Sequence, residues 1–350
     1  MTLNARAGRR GIRTRLRIPA LCLFLIGPTV WFGCARTTNP MREKPNLETL
    51  EQRAQGQAGD LQIQLDYGEA LVKAGRLEEA ASVFTHCEQM ADGDARPVAW
   101  LGKIAVSQHR SKDARRLFGE ALHRNPDDLT ALDGLANLDA QVRRVHHAIA
   151  GFDHILRLRP KDADAWQRLG ILCMADRQYD RSLGALQTAA ELDPNDLVTN
   201  RFLGIVELHA GRLDEASRTL RAVLARQPDD AEVRAALANA MMRMDASPKG
   251  LAAAEQEADS ALSARPFAEG YRTRGQIYTA QRRFDAAIQD YQTAIKMEPN
   301  TRYAYLLLSQ CYASAGKPDL ARKASSEYQR LTKELLAKDK NPAMQSDPEP

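Results

Sequence analysis

Two pairs of adjacent acids, Asp127–Asp128 and Asp229–Asp230, have the type and spacing to do chemistry in this 350-residue chain. Two carboxylates in unlike surroundings can divide the roles of general acid and general base. Both pairs, however, directly follow a proline, Pro126 or Pro228, and stand at one recurring place in the chain, where an acid caps the next helix. The thiols offer no alternative. Cys22, Cys34, Cys87, Cys173 and Cys311 form no CxxC pair and no zinc-ligand spacing. Cys87 and Cys173 fall on positions that a small apolar residue would fill, which predicts buried thiols. The seven histidines contain no HExxH, and the adjacent His146 and His147 point to different faces of a helix. No GxGxxG, GxxxxGK or GxSxG occurs. The expectation is a protein with no catalytic set, no cofactor and no metal.

What positions these residues is a repeat. "GRLEEA" at 75–80 returns as "GRLDEA" at 211–216, four periods of 34 later. Five consecutive blocks begin at 61, 95, 129, 163 and 197 without insertion or deletion. Within each, apolar residues recur at intervals of three and four, pause at a turn, and recur again, so each block reads as a helical hairpin. Small residues stand twelve apart, one per helix: Gly68 with Ala80, Gly102 with Ala114, Gly170 with Ser182, Gly204 with Ala216, Gly275 with Ala287. They predict close approach of the two helices. Four residues later, Phe84, Phe118, Phe152, Leu186, Leu220 and Tyr291 are expected to fill the space between neighbouring hairpins. Gly75 and Gly211 suit a turn that needs positive φ.

On these residues the chain resembles the tetratricopeptide repeat (TPR) family. Trp166, Leu169, Gly170, Ser182, Leu186, Ala189 and Pro194 fall on the family pattern, as do Tyr271, Gly275, Tyr278, Ala287, Tyr291, Ala294 and Pro299. The resemblance implies an all-α, right-handed α-solenoid of about eight hairpins over 61–335: 61–94, 95–128, 129–162, 163–196, 197–230, 231–267, 268–301 and 302–335. The sixth carries three extra residues around "DASPKG". Residues 36–60 are expected to form a linker and a short capping helix, and 336–350 a disordered tail.

The first 42 residues hold eight arginines and no acid, leaving 41 basic against 45 acidic side chains from 43 onward. A body of net charge −4 gives no overall electrostatic case for nucleic acid. The basic start is followed by an uncharged stretch, 18–35, which reads as a signal peptide or membrane anchor over 1–35. Gly33–Cys34 resembles the end of a lipobox, which makes Cys34 the lipidation candidate, although Trp31 and Phe32 depart from that pattern. Cleavage as an ordinary signal and retention as an anchor remain open, as does a start at Met41 that would leave the chain cytoplasmic.

Stacked hairpins present their first helices as an extended surface suited to a peptide or helix. Transferring the family geometry position by position lines this groove with Trp100, Lys103, Asn137, Gln167, Arg168 and Met174. It continues with Arg201, Phe202, Ile205, Asn239, Arg272 and Gln276. The middle repeats, 163–230, are expected to carry the main contact. The Lys, Asn and Arg set that clamps a carboxylate in chaperone-binding members is absent. The function implied is a non-catalytic scaffold for a protein or peptide partner, attached to the membrane through its N-terminus, in a cell-envelope assembly such as a pilus, secretion or polysaccharide-export machine. The alternative is a structural protein that associates with its own copies; the oligomeric state is left open.

Overall fold

The computed structural model describes residues 46–340, so the basic start, Cys34 and Met41 lie outside the described residues. Seventeen helices and no strand occur among the described residues. Helix α1 (Leu47–Gly56) precedes eight hairpins: α2 (Leu61–Lys73) with α3 (Leu77–Met90), α4 (Ala95–Ser107) with α5 (Ser111–Arg124), α6 (Leu129–Gln141) with α7 (Val145–Leu158), and α8 (Ala163–Ala175) with α9 (Tyr179–Leu192). There follow α10 (Leu197–His209) with α11 (Leu213–Arg226), α12 (Ala231–Met244) with α13 (Pro248–Ala264), α14 (Ala268–Ala280) with α15 (Phe284–Met297), and α16 (Arg302–Ser314) with α17 (Pro318–Lys340). The last helix, Pro318–Lys340, enters the stretch expected as tail. Its Ala324 and Leu331 are buried, which ties it to the array.

Capping sets where the first helices start. The carboxylates of Asp60, Asp94, Asp128, Asp162, Asp196 and Asp230 each accept from amides in the first turn of the next helix. The second acid of each proline-acid-acid sequence is therefore a cap, and Asp127 Oδ1 accepts from His154 Nε2 at 2.7 Å. A second tie recurs at the fourth residue of the repeat. Trp166 Nε1 and Asn200 Nδ2 donate to the carbonyls of Pro160 and Pro194 at 2.9 Å, and Arg234 Nη2 to Pro228 at 2.6 Å. Different residue types thus fasten each hairpin to the loop before it.

The turn inside each hairpin uses a left-handed residue. Gly75 and Gly211 have φ of 77°, and Gly316 has 70°. His109, Arg143, Arg177 and Arg282 occupy the same place at 59–61° without being glycine. The following amide closes the helix end, as when Arg76 N–H donates to Leu71 O at 2.9 Å. The sixth hairpin differs: its three extra residues form a connector capped by Ser247, with Pro248 opening α13.

The large residues do more than fill gaps between hairpins. A Cβ on Gly68 would lie 2.7 Å from the Phe84 ring, and one on Gly275 would lie 2.7 Å from Tyr291, so these rings press first on the glycine of their own hairpin. Phe118 also reaches forward: a Cβ on Gly102 would meet its ring at 2.6 Å, and one on Gly134 of the next hairpin at 2.2 Å. In the third hairpin, where Ala136 replaces the usual glycine, clearance passes to the other helix, since a Cβ on Gly151 would lie 2.8 Å from Ala136 Cβ. Ser182 Oγ donates to Gly170 O at 2.7 Å, which marks the close crossing directly.

Each helix packs on its chain neighbours, and first helices also touch the next first helices, as α4 does α6 and α12 does α14. Second helices do not pack on second helices in this way. First helices therefore line the inner side of a curved ribbon.

Candidate functional site

The inner face is a ladder before it is a surface. Arg168 Nη1, on α8, donates to Asn137 Oδ1 on α6 at 2.7 Å and lies 3.7 Å from Asp133. Gln167 Nε2 donates to Thr199 Oγ1 on α10 at 2.8 Å and to the Asp196 carboxylate. Arg201 pairs with Glu232 on α12 and lies 3.6 Å from Asp230. Asn239 Nδ2 donates to Gln276 Oε1 at 3.3 Å, and Arg272 pairs with Glu269 and lies 5.1 Å from the Tyr303 ring on α16. Residues expected to face a ligand thus link each first helix from α6 onward to the next. Phe202 packs partly buried beside Leu183, Leu186, Leu203 and Val206, and Ile205 beside Leu208 and Leu220.

The free part of this face lies toward the N-terminus. A cleft of about 430 Å³ is bounded by Trp100 and Lys103 of α4, Asp133 of α6 and Arg168 of α8. Glu69, Lys73, Arg159, Asp162 and Asp164 complete its charged wall. It opens where α6 and α8 part. The Trp100 ring is stacked on Phe84, with centroids 5.7 Å apart and planes 3° apart, and Lys103 Nζ stands 4.8 Å from its centroid. A rigid indole flanked by cations, with acids beside them, can hold an extended segment through apolar contact and alternating charge pairs. Arg201, by contrast, is engaged by two acids outside this cleft. Glu69 was legible in principle: it precedes Lys103 by one period of 34 and shares its register.

The three thiols among the described residues are withdrawn from solvent. Cys87, Cys173 and Cys311 are free and buried; burial raises all three, and that of Cys87 to about 11. Among the described residues no group of three His, Cys, Asp or Glu could hold a metal, and no helix is long and apolar enough to cross a membrane.

Two models described as tetratricopeptide repeat match the chain, one over residues 71–138 and 173–240, the other over 134–196 and 272–333. The chain belongs to the tetratricopeptide repeat family. The TPR fold is typically a non-catalytic scaffold, and no enzymatic family is indicated. Over 110 residues the chain is 32% identical to Superkiller protein 3 of Schizosaccharomyces pombe, covering 31% of this chain and 8% of that protein. Over 192 residues it is 27% identical to a TPR repeat-containing protein of Pseudomonas aeruginosa, covering 53% and 32%. Over 186 residues it is 24% identical to the peroxisomal targeting signal receptor of Komagataella phaffii, covering 51% and 32%. The chain spans about a third, or less, of the length of these TPR relatives. Among solved structures, the APC/C hetero-tetramer Cut9–Hcn1 aligns over 81% of this chain and 56% of that chain, with 16% identity and a TM-score of 0.53, a likeness of fold alone. A tetratricopeptide repeat protein from Parabacteroides merdae aligns over 72% and 98%, with 20% identity and a TM-score of 0.48. Proteins of the family generally mediate protein–protein interaction.

Proposed function

We propose that the chain is an exported adaptor, attached to a membrane through its N-terminus, that grips a protein or peptide component of a cell-envelope assembly such as a pilus, secretion or polysaccharide-export machine. The observation that carries the gripping role is the cleft across the first four hairpins, where Trp100 stands rigid between Phe84 and Lys103 while Arg168 and Asp133 face it across the gap. A relative named as a targeting signal receptor fits such a role. Export is supported by the arginine-rich start and the uncharged stretch that follows, with Cys34 as the candidate for lipid attachment.

Two outcomes are expected. Lys103→Glu combined with Arg168→Glu should weaken capture of the partner by about 1–3 kcal/mol, because both cations face the cleft and reversal places them against the partner's acids. Helicity by circular dichroism should not change, and added salt should weaken the wild-type complex. Equal recovery of partner by the folded double variant, in pull-downs from detergent-solubilised membranes, would remove the cleft from consideration. Separately, a reporter active only after export and fused after residue 60 should be active, and Cys34→Ser should release the protein from the membrane fraction. A silent reporter would point to a start at Met41. A single oligomeric size across dilution, by size exclusion with light scattering, would favour the self-associating alternative.

A further inference from the structure

The fifth hairpin holds a buried acid that the fold leaves without a direct charge partner. Glu207, on α10, keeps 5% of its surface exposed; the Thr219 hydroxyl donates to its carboxylate, but its Oε2 has no hydrogen-bond partner. At this register position six other hairpins carry Leu71, Ala105, Cys173, Met241, Tyr278 and Tyr312. The remaining one carries Asp139, equally buried, which accepts from Arg115 Nη2 of the preceding hairpin at 2.7 Å. The residue standing where Arg115 would stand beside Glu207 is Leu183, itself buried. The chain's own answer to an acid at this place is a guanidinium, and here that guanidinium is missing. An unpaired buried acid is costly, so its presence asks for a partner from elsewhere.

A cavity adjoins it. About 520 Å³ lies in the seam between α10 and α11, with Glu207 in its wall beside Leu197, Asn200, Thr219 and Val223. Its size reflects a second departure: the position that holds Trp166 in the fourth hairpin holds Asn200 in the fifth. Asn200 spends its amide nitrogen on the carbonyls of Pro194 and Asp196, both at 2.9 Å, which leaves its Oδ1 to accept. The terminal torsion of a glutamate is soft, so a small rotation presents either carboxylate oxygen to the cavity. Arg201, Phe202 and Ile205 do not line it, so it is distinct from the inner-face ladder.

We propose that this cavity takes the guanidinium of an arginine side chain from a bound polypeptide, with Glu207 as counter-ion and Asn200 and Thr219 as further acceptors. Leu197 and Val223 suit the methylene stem. Burial strengthens the pairing, since little water competes for the carboxylate. Four charged groups surround Glu207: Glu215, Arg218 and Arg226 on the rim, and Arg212 nearby. The three arginines are exposed and screened by solvent, and Arg226 Nη1 is engaged on the Asn195 carbonyl at 2.9 Å. These cations select for acidic residues flanking the inserted arginine. The proposal rests on the adaptor reading only for the source of that arginine, because the site is separate from the Trp100 cleft.

The test titrates N-acetyl-arginine methylamide into the full chain and follows backbone amides by NMR, with the neutral citrulline analogue as control. Saturable shifts centred on Asn200, Glu207 and Thr219 are expected with arginine and not with citrulline. Glu207→Met, which copies the residue at Met241, should weaken this binding by about tenfold or more. The same variant should melt at a higher temperature than wild type, because an apolar side chain replaces an unpaired acid. Burial raises the Glu207 carboxyl above the ordinary glutamate range. As pH climbs through the interval between the ordinary and the raised value, the unfolded chain ionises while the folded one stays protonated, so wild type loses stability relative to Glu207→Met. Arginine binding should survive in the Lys103→Glu, Arg168→Glu protein, which separates failure here from failure of the cleft. Equal shifts with citrulline, unchanged affinity in Glu207→Met, or no saturable shift at these amides would overturn the proposal.

Discussion

Phe118→Ala is expected to destabilise the array by about 3–5 kcal/mol, the upper range for loss of a core aromatic. The ring is fully buried in a core cluster, and on two sides it is pressed by helix backbone. Cβ atoms on Gly102 and Gly134 would lie 2.6 and 2.2 Å from it, so helices α4 and α6 have closed on the ring from both sides. A side-chain wall can rotate into a void, whereas two helix backbones fixed by their own hydrogen bonds cannot, and the cavity stays open. Chemical denaturation should show the loss. Hydrogen exchange should place it in α4 to α6 while α14 to α16 keep their protection, because contacts run only between neighbours. A uniform loss of protection along the chain would contradict that locality.

Arg274→Ala should cost a similar amount, about 3–5 kcal/mol, for an electrostatic reason. Arg274 Nε and Nη2 each donate to Asp290 at 2.8 Å, and Nη1 donates to Asp259 at 2.8 Å. Its Cζ lies 5.6 Å from the ring centroids of both Tyr271 and Tyr278. The Asp290 side chain is 7% exposed, so deleting the arginine strands a buried carboxylate. Arg274→Lys should recover only part of the loss, since an ammonium cannot make the two-pronged contact. Adding Asp290→Asn to Arg274→Ala should recover part as well, by removing the stranded charge. If Arg274→Ala alone is as stable as that double variant in urea, a stranded Asp290 charge does not explain the loss; if it is as stable as wild type, the pair contributes nothing.

The hairpins were legible because their determinants are local and periodic. Gly75 and Gly211 mark turns, the proline-acid sequences mark helix starts, and Gly102 with Ala114 marks a crossing, all readable at a fixed spacing. What stayed hidden depends on contacts between positions that the period does not pair. Ala136 breaks the small-residue pattern, and nothing in its own hairpin's spacing reveals that Gly151 compensates. Arg201 reads as a steering cation until Glu232 and Asp230 are placed beside it. Glu207 falls on the register position of Cys173, so the period marks it as interior; that no guanidinium answers it follows from Leu183 standing where Arg115 would. The Trp100 cleft was half visible, since Trp100, Lys103 and Arg168 were on the expected face, while the acids opposite them come from α2, α6 and the start of α8.

That helices touch only their neighbours also fixes how the ribbon answers force. Tension applied at the two ends passes through every seam in turn, as through springs joined in series, so total extension is the sum of small openings and total compliance grows with repeat number. No distant contact shares the load. The seam with the weakest packing yields first and relieves the rest. The bridges Arg168–Asn137, Arg201–Glu232 and Asn239–Gln276 sit on the inner edge, where straightening lengthens distances most. They therefore act as the elastic limit of the ribbon, resisting its unbending.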